Sequence, residues 1–381
     1  MNRYRFLRFF LLSIFFWPYY VIRIKHRSVD STLKNRFLIV PQNNRLGDLM
    51  CATPVLRAIR NKYPQCYIAV LVSESKGSWM ILKNNPHIDE IIFYETPNLL
   101  KKIRAEKFSW SFHLTTYPIA SVIAFLGLIP HRIKTVVRER SLSEILTDWL
   151  NTRKYIYEHH TSVPLHYLRL LEQINIHNPS TLKEVFVSQM GELKATEFLS
   201  NLEIQEDDFL IGMSITAGNK IKEWGDDRFV ELAQRLIATF KAKIVLIGSP
   251  HDGTRLMQTR NSITGSDRVF IASNFSIEEL PSILRRFKLY IAVDTGPIYV
   301  AHALRIPLID ISGPCDTREQ PPSDELSLCI TPDSIPPSSF VFKHPGSLLE
   351  RRRAIEAISV DQVFSSIQIF IKRLGFREIK H

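Results

Sequence analysis

The stretch Leu289-Tyr-Ile-Ala-Val-Asp-Thr-Gly-Pro-Ile-Tyr-Val-Ala-His-Ala-Leu304 constrains the fold of this chain most tightly. Leu289 to Val293 is a short apolar run rich in β-branched residues and bounded by turn residues, the signature of a buried strand. Asp294-Thr295-Gly296-Pro297 stops it. Asp and Thr cap helices, Gly permits a tight turn, and Pro suits the first helical position. A short helix from Ile298 to Leu304 is predicted next, followed by a strand over Pro307 to Ile311 that ends at Gly313-Pro314. Such a turn offers backbone N–H groups and the positive end of a helix dipole, where a phosphate can sit. Helix capping alone accounts for the same residues.

The same rhythm runs through the rest of the chain. Phe37-Leu-Ile-Val40 is a short apolar strand leading into the polar loop Pro41 to Pro54, and Pro54 is expected to open a helix with Val55, Leu56 and Ile59 on one side. Strands are expected at Tyr67 to Val72 and Glu90 to Tyr94, and Ser109 to Leu114 with the apolar segment Ile119 to Leu128 continues the pattern. A basic stretch with Arg132, Lys134, Arg138 and Arg140 follows, for which a solvated face is the plain reading. Apolar periodicity weakens between Asn175 and Asp208, where a domain boundary is placed. A second unit opens with the strand Phe209 to Ser214 and the loop Ile215 to Gly225. Asp226 and Asp227 then start a helix carrying Phe229, Leu232, Ala233, Leu236 and Phe240, and Lys243 to Gly248 is a buried strand closed by Ser249-Pro-His-Asp-Gly253. Gly313 to Gly346 is proline-rich and irregular, and Ile355, Ile358, Phe364, Ile367 and Ile371 predict one final amphipathic helix. Alternation of strand and helix argues for parallel sheets with crossover helices. The expected division is a membrane-associated segment 1–34, a first α/β domain 35–180, a linker 181–208, a second such domain 209–350 and a C-terminal helix 351–381.

Charge narrows the partners. Lys and Arg number 49 against 38 Asp and Glu, a net +11 that favours acidic partners: nucleotides, phosphorylated substrates, anionic lipid or nucleic acid. The four cysteines form no CxxC pair, which points to neither a disulfide scaffold nor a zinc site. Neither a G-x-G-x-x-G fingerprint nor a P-loop is present, which weighs against hydride transfer. The N-terminus carries an uncharged run from Phe9 to Ile22 of 14 residues, broken by Pro18 and flanked by Arg3, Arg5 and Arg8 on one side and Arg23, Lys25 and Arg27 on the other. A spanning helix needs about 20 residues. Trp17, Tyr19 and Tyr20 prefer the membrane interface, so an interfacial anchor on an anionic bilayer face is expected.

Three blocks, in order, give the chain a resemblance. Arg45-Leu-Gly-Asp-Leu-Met-Cys-Ala-Thr-Pro-Val-Leu-Arg-Ala-Ile59 resembles the Gly-Asp-x4-Thr-Pro loop and helix of glycosyltransferase family 9, the lipopolysaccharide heptosyltransferases. Lys222-Glu-Trp-Gly-Asp-Asp-Arg-Phe229 is similar to that family's Lys-x-Trp-Pro segment, and Asp294-Thr-Gly-Pro with Gly313-Pro-Cys-Asp316 is similar to its donor turn. The resemblance implies an α/β GT-B architecture, two Rossmann-like domains facing a central cleft, and an inverting, metal-independent transfer from a nucleotide sugar. It implies Asp48 as the base that takes the acceptor hydroxyl's proton, with Arg45, Gly47 and Thr53 on the acceptor-side loop. It implies Lys222, Asp252, Asp294, Thr295, Gly296 and Tyr299 around the donor. Lys222 would meet the diphosphate as a point charge, and Asp252 would hold ribose hydroxyls or simply serve its turn. No cofactor or metal is expected beyond the nucleotide-sugar donor, for which ADP-heptose is the first candidate. The expected partners are an anionic lipid-linked saccharide and the membrane surface, not nucleic acid, with the enzyme cytoplasmic and peripheral on the inner face of a bacterial plasma membrane.

Two positions depart from the family pattern. Relatives commonly place a histidine five residues after the donor-turn Asp. Here Tyr299 stands there, able to donate a hydrogen bond but neutral near pH 7, and His302 lies one helical turn on. Relatives often place Pro after the Trp of the second block; here it is Gly225. Both leave the donor sugar open. A nucleotide-dependent sugar epimerase or oxidoreductase, and a non-catalytic sugar-nucleotide-binding protein, are the alternatives.

Overall fold

The computed structural model describes residues 35–342 and 348–375, together with Leu11, Ile14, Phe15 and Pro18. The expected anchor over residues 1–27 otherwise lies outside the described residues. Among the described residues, no single helix is long and apolar enough to cross a membrane. The chain divides into two units between Lys183 and Glu184.

The first unit runs β1 (Arg36–Val40), α1 (Leu46–Lys62), β2 (Tyr67–Val72), β3 (Glu90–Phe93), α2 (Leu99–Ala105), β4 (Trp110–His113), α3 (Pro118–Leu126), β5 (His131–Val136), α4 (Leu142–Thr147) with a further turn Asp148–Leu150, β6 (Arg153–Ile156) and α5 (Val163–Arg169). The second runs α6 (Gln189–Asn201), β7 (Leu210–Ser214), α7 (Asp226–Phe240), β8 (Lys243–Ile247), α8 (Gly253–Ser262), β9 (Val269–Ala272), α9 (Leu280–Leu284), β10 (Leu289–Val293), α10 (Gly296–Ala303), β11 (Leu308–Ile311), β12 (Ser327–Ile330), α11 (Leu348–Glu356) and α12 (Val360–Arg373). Helix α6 falls inside the segment 181–208 that was expected to be a linker.

Each unit holds one six-stranded sheet. The orders are β3-β2-β1-β4-β5-β6 and β12-β11-β10-β7-β8-β9, with parallel pairing throughout. Counted from each unit's own first strand, both read 3-2-1-4-5-6, the order of Rossmann-like folds. A parallel sheet is covered on both faces by its crossover helices, which is why its central strands are continuously apolar. Strands β7 and β10 are buried at every position. Helix α7 buries Phe229, Leu232, Ala233, Leu236 and Phe240 against this sheet, together with Ile367, Phe370 and Ile371 of α12. A fully buried Leu or Phe is worth roughly 1.5–3 kcal/mol, so this face supplies much of the unit's stability.

Three expectations are corrected. Pro54 does not open a helix; it sits inside α1, which starts at Leu46. The final helix is two helices, because Ser359 caps a new start by accepting from the Gln362 amide at 3.1 Å. The basic stretch is a solvated face only at Arg138 and Arg140, not at Arg132 and Lys134. Arg132 and Lys134 alternate along β5, and both are buried. Register pairs Ser111 with Arg132 and His113 with Lys134, so the four side chains share one face of the sheet. Arg132 is satisfied by the carbonyls of Leu150, Ile129 and Pro130. Burial pushes the Lys134 ammonium down to about 8 against the opposing pull of Asp148 and Glu144. Burial, then the charges of Lys134 and Arg132, push the His113 imidazole down to about 3.

His113 is therefore neutral in the folded chain and takes up a proton near its ordinary value of about 6.5 when unfolded. Below that pH the unfolded state binds more protons, so stability falls as pH drops through the window from about 6.5 toward about 3. His113→Gln removes the titration. Its melting temperature should fall less steeply than wild type between pH 7 and pH 5, whatever its absolute value, and parallel curves would contradict the burial argument.

Candidate functional site

In an open parallel sheet, ligands bind outside the carboxyl ends of the strands, where the strand order reverses. That point lies between β1 and β4 in the first unit and between β7 and β10 in the second. The expected site residues other than Asp252 lie on the segments that follow these strands.

In the first unit, β1 runs into a tight turn. Asn43 and Asn44 adopt φ of 43° and 55°, a left-handed conformation that asparagine tolerates better than most residues. The Asn43 side-chain oxygen accepts a hydrogen bond from the Tyr117 hydroxyl, which follows β4 and so ties the two loops across the reversal. Helix α1 then begins, with Arg45 exposed at its cap and Gly47 half-buried. Asp48 lies in the first turn, where the helix dipole favours a carboxylate, and is buried to 9% exposure. Burial raises the Tyr117 and Tyr167 hydroxyls, and the negative charge of Asp48 raises both further, while Arg45 opposes this at Tyr117. Thr53 has a different task. Pro54 lacks the N–H that would bond the Met50 carbonyl, and the buried Thr53 hydroxyl donates to that carbonyl instead, at 2.8 Å. The Thr-Pro pair repairs its own defect in the helix that carries Asp48.

In the second unit, the loop after β7 is fastened at several points. Trp224 is almost fully buried, donates to the Ile358 carbonyl at 2.8 Å and packs edge-on against Phe229. Arg255 of α8 donates from Nε and Nη2 to Asp226 and from Nη1 to Glu223. Gly225 sits at φ 115°, ψ 140°, a conformation that proline's fixed φ excludes, so the departure from Trp-Pro belongs to a different loop path. Held this way, the Lys222 ammonium lies 2.5 Å from Asp294 Oδ2 at the end of β10. The Tyr299 hydroxyl donates to Asp294 Oδ1 at 2.7 Å. Burial alone would lower the Lys222 value, but Asp294 more than reverses this and holds the ammonium above its usual range. Burial works against Asp294 too, and the charge of Lys222 overrides it to hold the carboxyl low. Thr295 takes the N-cap position of α10 with extended backbone and no side-chain capping bond, and Gly296 and Pro297 form the first turn.

Asp252 stands apart from this cluster. Its Oδ2 accepts from the Ser249 amide at 2.8 Å and the Ser249 hydroxyl at 2.6 Å in a capping box after β8. His302 instead meets Asp324, 3.2 Å away.

Two neighbours of the pair, Cys315 and Asp310, were not expected from the sequence. Cys315 is buried and hydrogen-bonds to Asp294; burial and then the Asp294 charge push its thiol well up. Asp310 is fully buried in β11, and burial followed by the charge of Asp294 raises its carboxyl far above the usual range, favouring the protonated form. An aspartate inside the apolar run Leu308–Ile311 was the available signal. Among the described residues, no group of three or more His, Cys, Asp or Glu is placed to hold a metal ion.

The model of "Glycosyltransferase family 9 (heptosyltransferase)" matches residues 97–338, more than half of the chain. The chain belongs to glycosyltransferase family 9. Lipopolysaccharide heptosyltransferase 2 of Salmonella typhimurium is 24% identical over 302 residues, covering 73% of this chain and 82% of that protein. The crystal structure of a family 9 glycosyl transferase from Veillonella parvula superposes with a TM-score of 0.73 at 18% identity, covering 89% of this chain and 98% of the other. The E. coli structure described as ADP-heptose lps heptosyltransferase II gives 0.70 at 17% identity, covering 89% and 99%. This family 9 member is a glycosyltransferase that uses a nucleotide-sugar donor, and the comparisons do not favour an epimerase, an oxidoreductase or a non-catalytic binder.

In the family 9 fold as this chain builds it, the Lys222–Asp294 pair is the most enclosed ionic contact at either reversal point described above. Removing one partner of a buried pair strands the other and costs about 3 kcal/mol or more. Lys222→Met and Asp294→Asn should each lose on that order in urea unfolding, and the double variant should lose clearly less than the two single losses added together. Simple additivity would mean that the pair is not coupled.

Proposed function

We propose that this glycosyltransferase moves a heptose or a related sugar, with inversion and without a metal ion, from an ADP-sugar to a lipid-linked saccharide of the lipopolysaccharide-core kind. The observation that carries the reading is Asp48, a buried carboxylate held in the first turn of α1 at the reversal point of the first sheet. An inverting transfer needs one base. The acceptor hydroxyl oxygen attacks the anomeric carbon, the bond from that carbon to the diphosphate oxygen breaks, and the base takes the hydroxyl proton. Asp48 is the proposed base. Arg45, exposed beside it, suits an anionic acceptor group.

On the donor side, the departing nucleoside diphosphate gathers negative charge and needs a preorganised positive group. Lys222 has three donor hydrogens, and Asp294 fixes its position. The start of α10 at Thr295 and Gly296 adds backbone N–H groups and a positive dipole end. Tyr299 completes this by orienting Asp294. Asp252, spent on its own capping box through Oδ2, is the weaker donor contact. ADP as the nucleotide is supported by the E. coli relative, which is named for ADP-heptose. Attachment at the inner face of the plasma membrane rests on the basic and aromatic N-terminal sequence.

Asp48→Asn keeps the shape of the side chain and removes the proton acceptor. Transfer should fall on the order of a hundredfold or more, while ADP affinity measured by titration calorimetry stays within about twofold. Near-normal transfer would reject Asp48 as base. Lys222→Met should weaken ADP binding as well as slow transfer. Unchanged ADP affinity in that variant would confine Lys222 to a structural role.

A further inference from the structure

Helix α4 and the turn after it have their polarity reversed. Leu142, Ile145, Leu146 and Trp149 recur at i, i+3, i+4 and i+7, so they share one face. That face points outward: the four are 71%, 51%, 47% and 43% exposed. The opposite face is polar and buried. Glu144 accepts from the Ser141 amide at 2.7 Å and the Ser141 hydroxyl at 2.6 Å. Asp148 takes Arg140 and, at 3.4 Å, Lys154, and the Thr147 hydroxyl donates to the Ser143 carbonyl at 2.9 Å. A helix facing water places these two faces the other way round. A contiguous exposed apolar ridge marks an interaction surface.

We infer that this outward face is a docking surface for an anionic lipid bilayer, an inference that rests on the reading of the acceptor as lipid-linked. Leu142, Ile145, Leu146 and Trp149 enter the interface, where tryptophan is preferred. The carboxylates of the helix are turned inward and paired, so the ridge itself presents no acid to repel anionic headgroups. Arg138 before the helix is exposed but is paired with Glu158 at 2.7 Å, so exposed Arg153 after the helix is the basic group placed to meet lipid phosphates. The same pattern recurs at Leu11, Ile14 and Phe15, which are helical, spaced i, i+3 and i+4, and half exposed or more. Their segment carries six basic residues and no acid before Asp30. One anionic bilayer accounts for the charge and the apolar faces of both.

The test uses the full chain and vesicles of phosphatidylethanolamine and phosphatidylglycerol, with neither donor nor acceptor present. Ile145→Gln combined with Leu146→Gln should lower vesicle partitioning by tenfold or more and leave thermal unfolding unchanged, because both side chains are already exposed. In vesicles with bromine-labelled acyl chains, part of the tryptophan quenching seen in wild type should be missing from Trp149→Phe. Unchanged partitioning in the double variant, or identical quenching in Trp149→Phe, overturns the inference. So does a wild-type dimer in sedimentation velocity that the double variant converts to monomer with vesicle binding intact, because the face would then bind a second copy. Loss of ADP binding or of transfer with vesicle capture preserved would instead count against the transfer reading alone.

Discussion

Reversal of strand order is the constraint on which the rest of this molecule depends. Parallel strands need crossover connections of fixed hand. A sheet that starts at its centre, grows to one side and then restarts on the other leaves two loops diverging from neighbouring strands. This chain does so twice, at β1 and β4 and again at β7 and β10. In the first unit the diverging loops are tied by Tyr117 and Asn43, beside the helix start that buries Asp48. In the second they are tied by Lys222 and Asp294. The residues proposed for chemistry thus occupy positions that the backbone topology opens and that side-chain contacts then fix.

The second site is built around an excess of buried acid. Asp310 lies close enough to Asp294 to feel its charge, and Lys222 acts on both carboxyls. Two carboxylates so placed do not both ionise readily. The structure resolves the conflict by giving Asp294 the lysine, the tyrosine and the Cys315 thiol, and leaving Asp310 to favour its proton. Lys222 is held in turn by contacts around it: Trp224 against Ile358, Glu223 against Arg255, and the ring of Phe340 4.5 Å from its ammonium. A lysine placed in this way has lost its side-chain freedom before any ligand arrives, which lowers the cost of meeting a diphosphate.

Much of this was legible in the sequence where local chemistry decides structure. Leu289 to Val293 and Tyr67 to Val72 fold as the strands their apolar runs predict, and a helix follows the Asp294 turn although neither Asp294 nor Thr295 caps it with a side-chain bond. The sequence was opaque where partners are remote. Lys222 and Asp294 are 72 positions apart, and Arg255 is 29 positions from Asp226, so neither pairing leaves a local trace. Strand β5 was hidden by its own charges, because Arg132 and Lys134 read as solvent-facing until the carbonyls and acids around them are known. Strand β12 was hidden by the prolines around it. Pro54 misled in the same way: its cost inside a helix is offset by the Thr53 hydroxyl, a compensation that depends on the helix already being there.

On the proposed function, the donor nucleotide sits at the reversal point of the second sheet. Amide hydrogen exchange of the full chain, with and without ADP, tests this most directly. ADP is expected to slow exchange in the loop 215–225 and at the start of α10, around residues 294–299, with little change in α1 and the loop before it. Tight ADP binding that leaves both of these segments unprotected would contradict it.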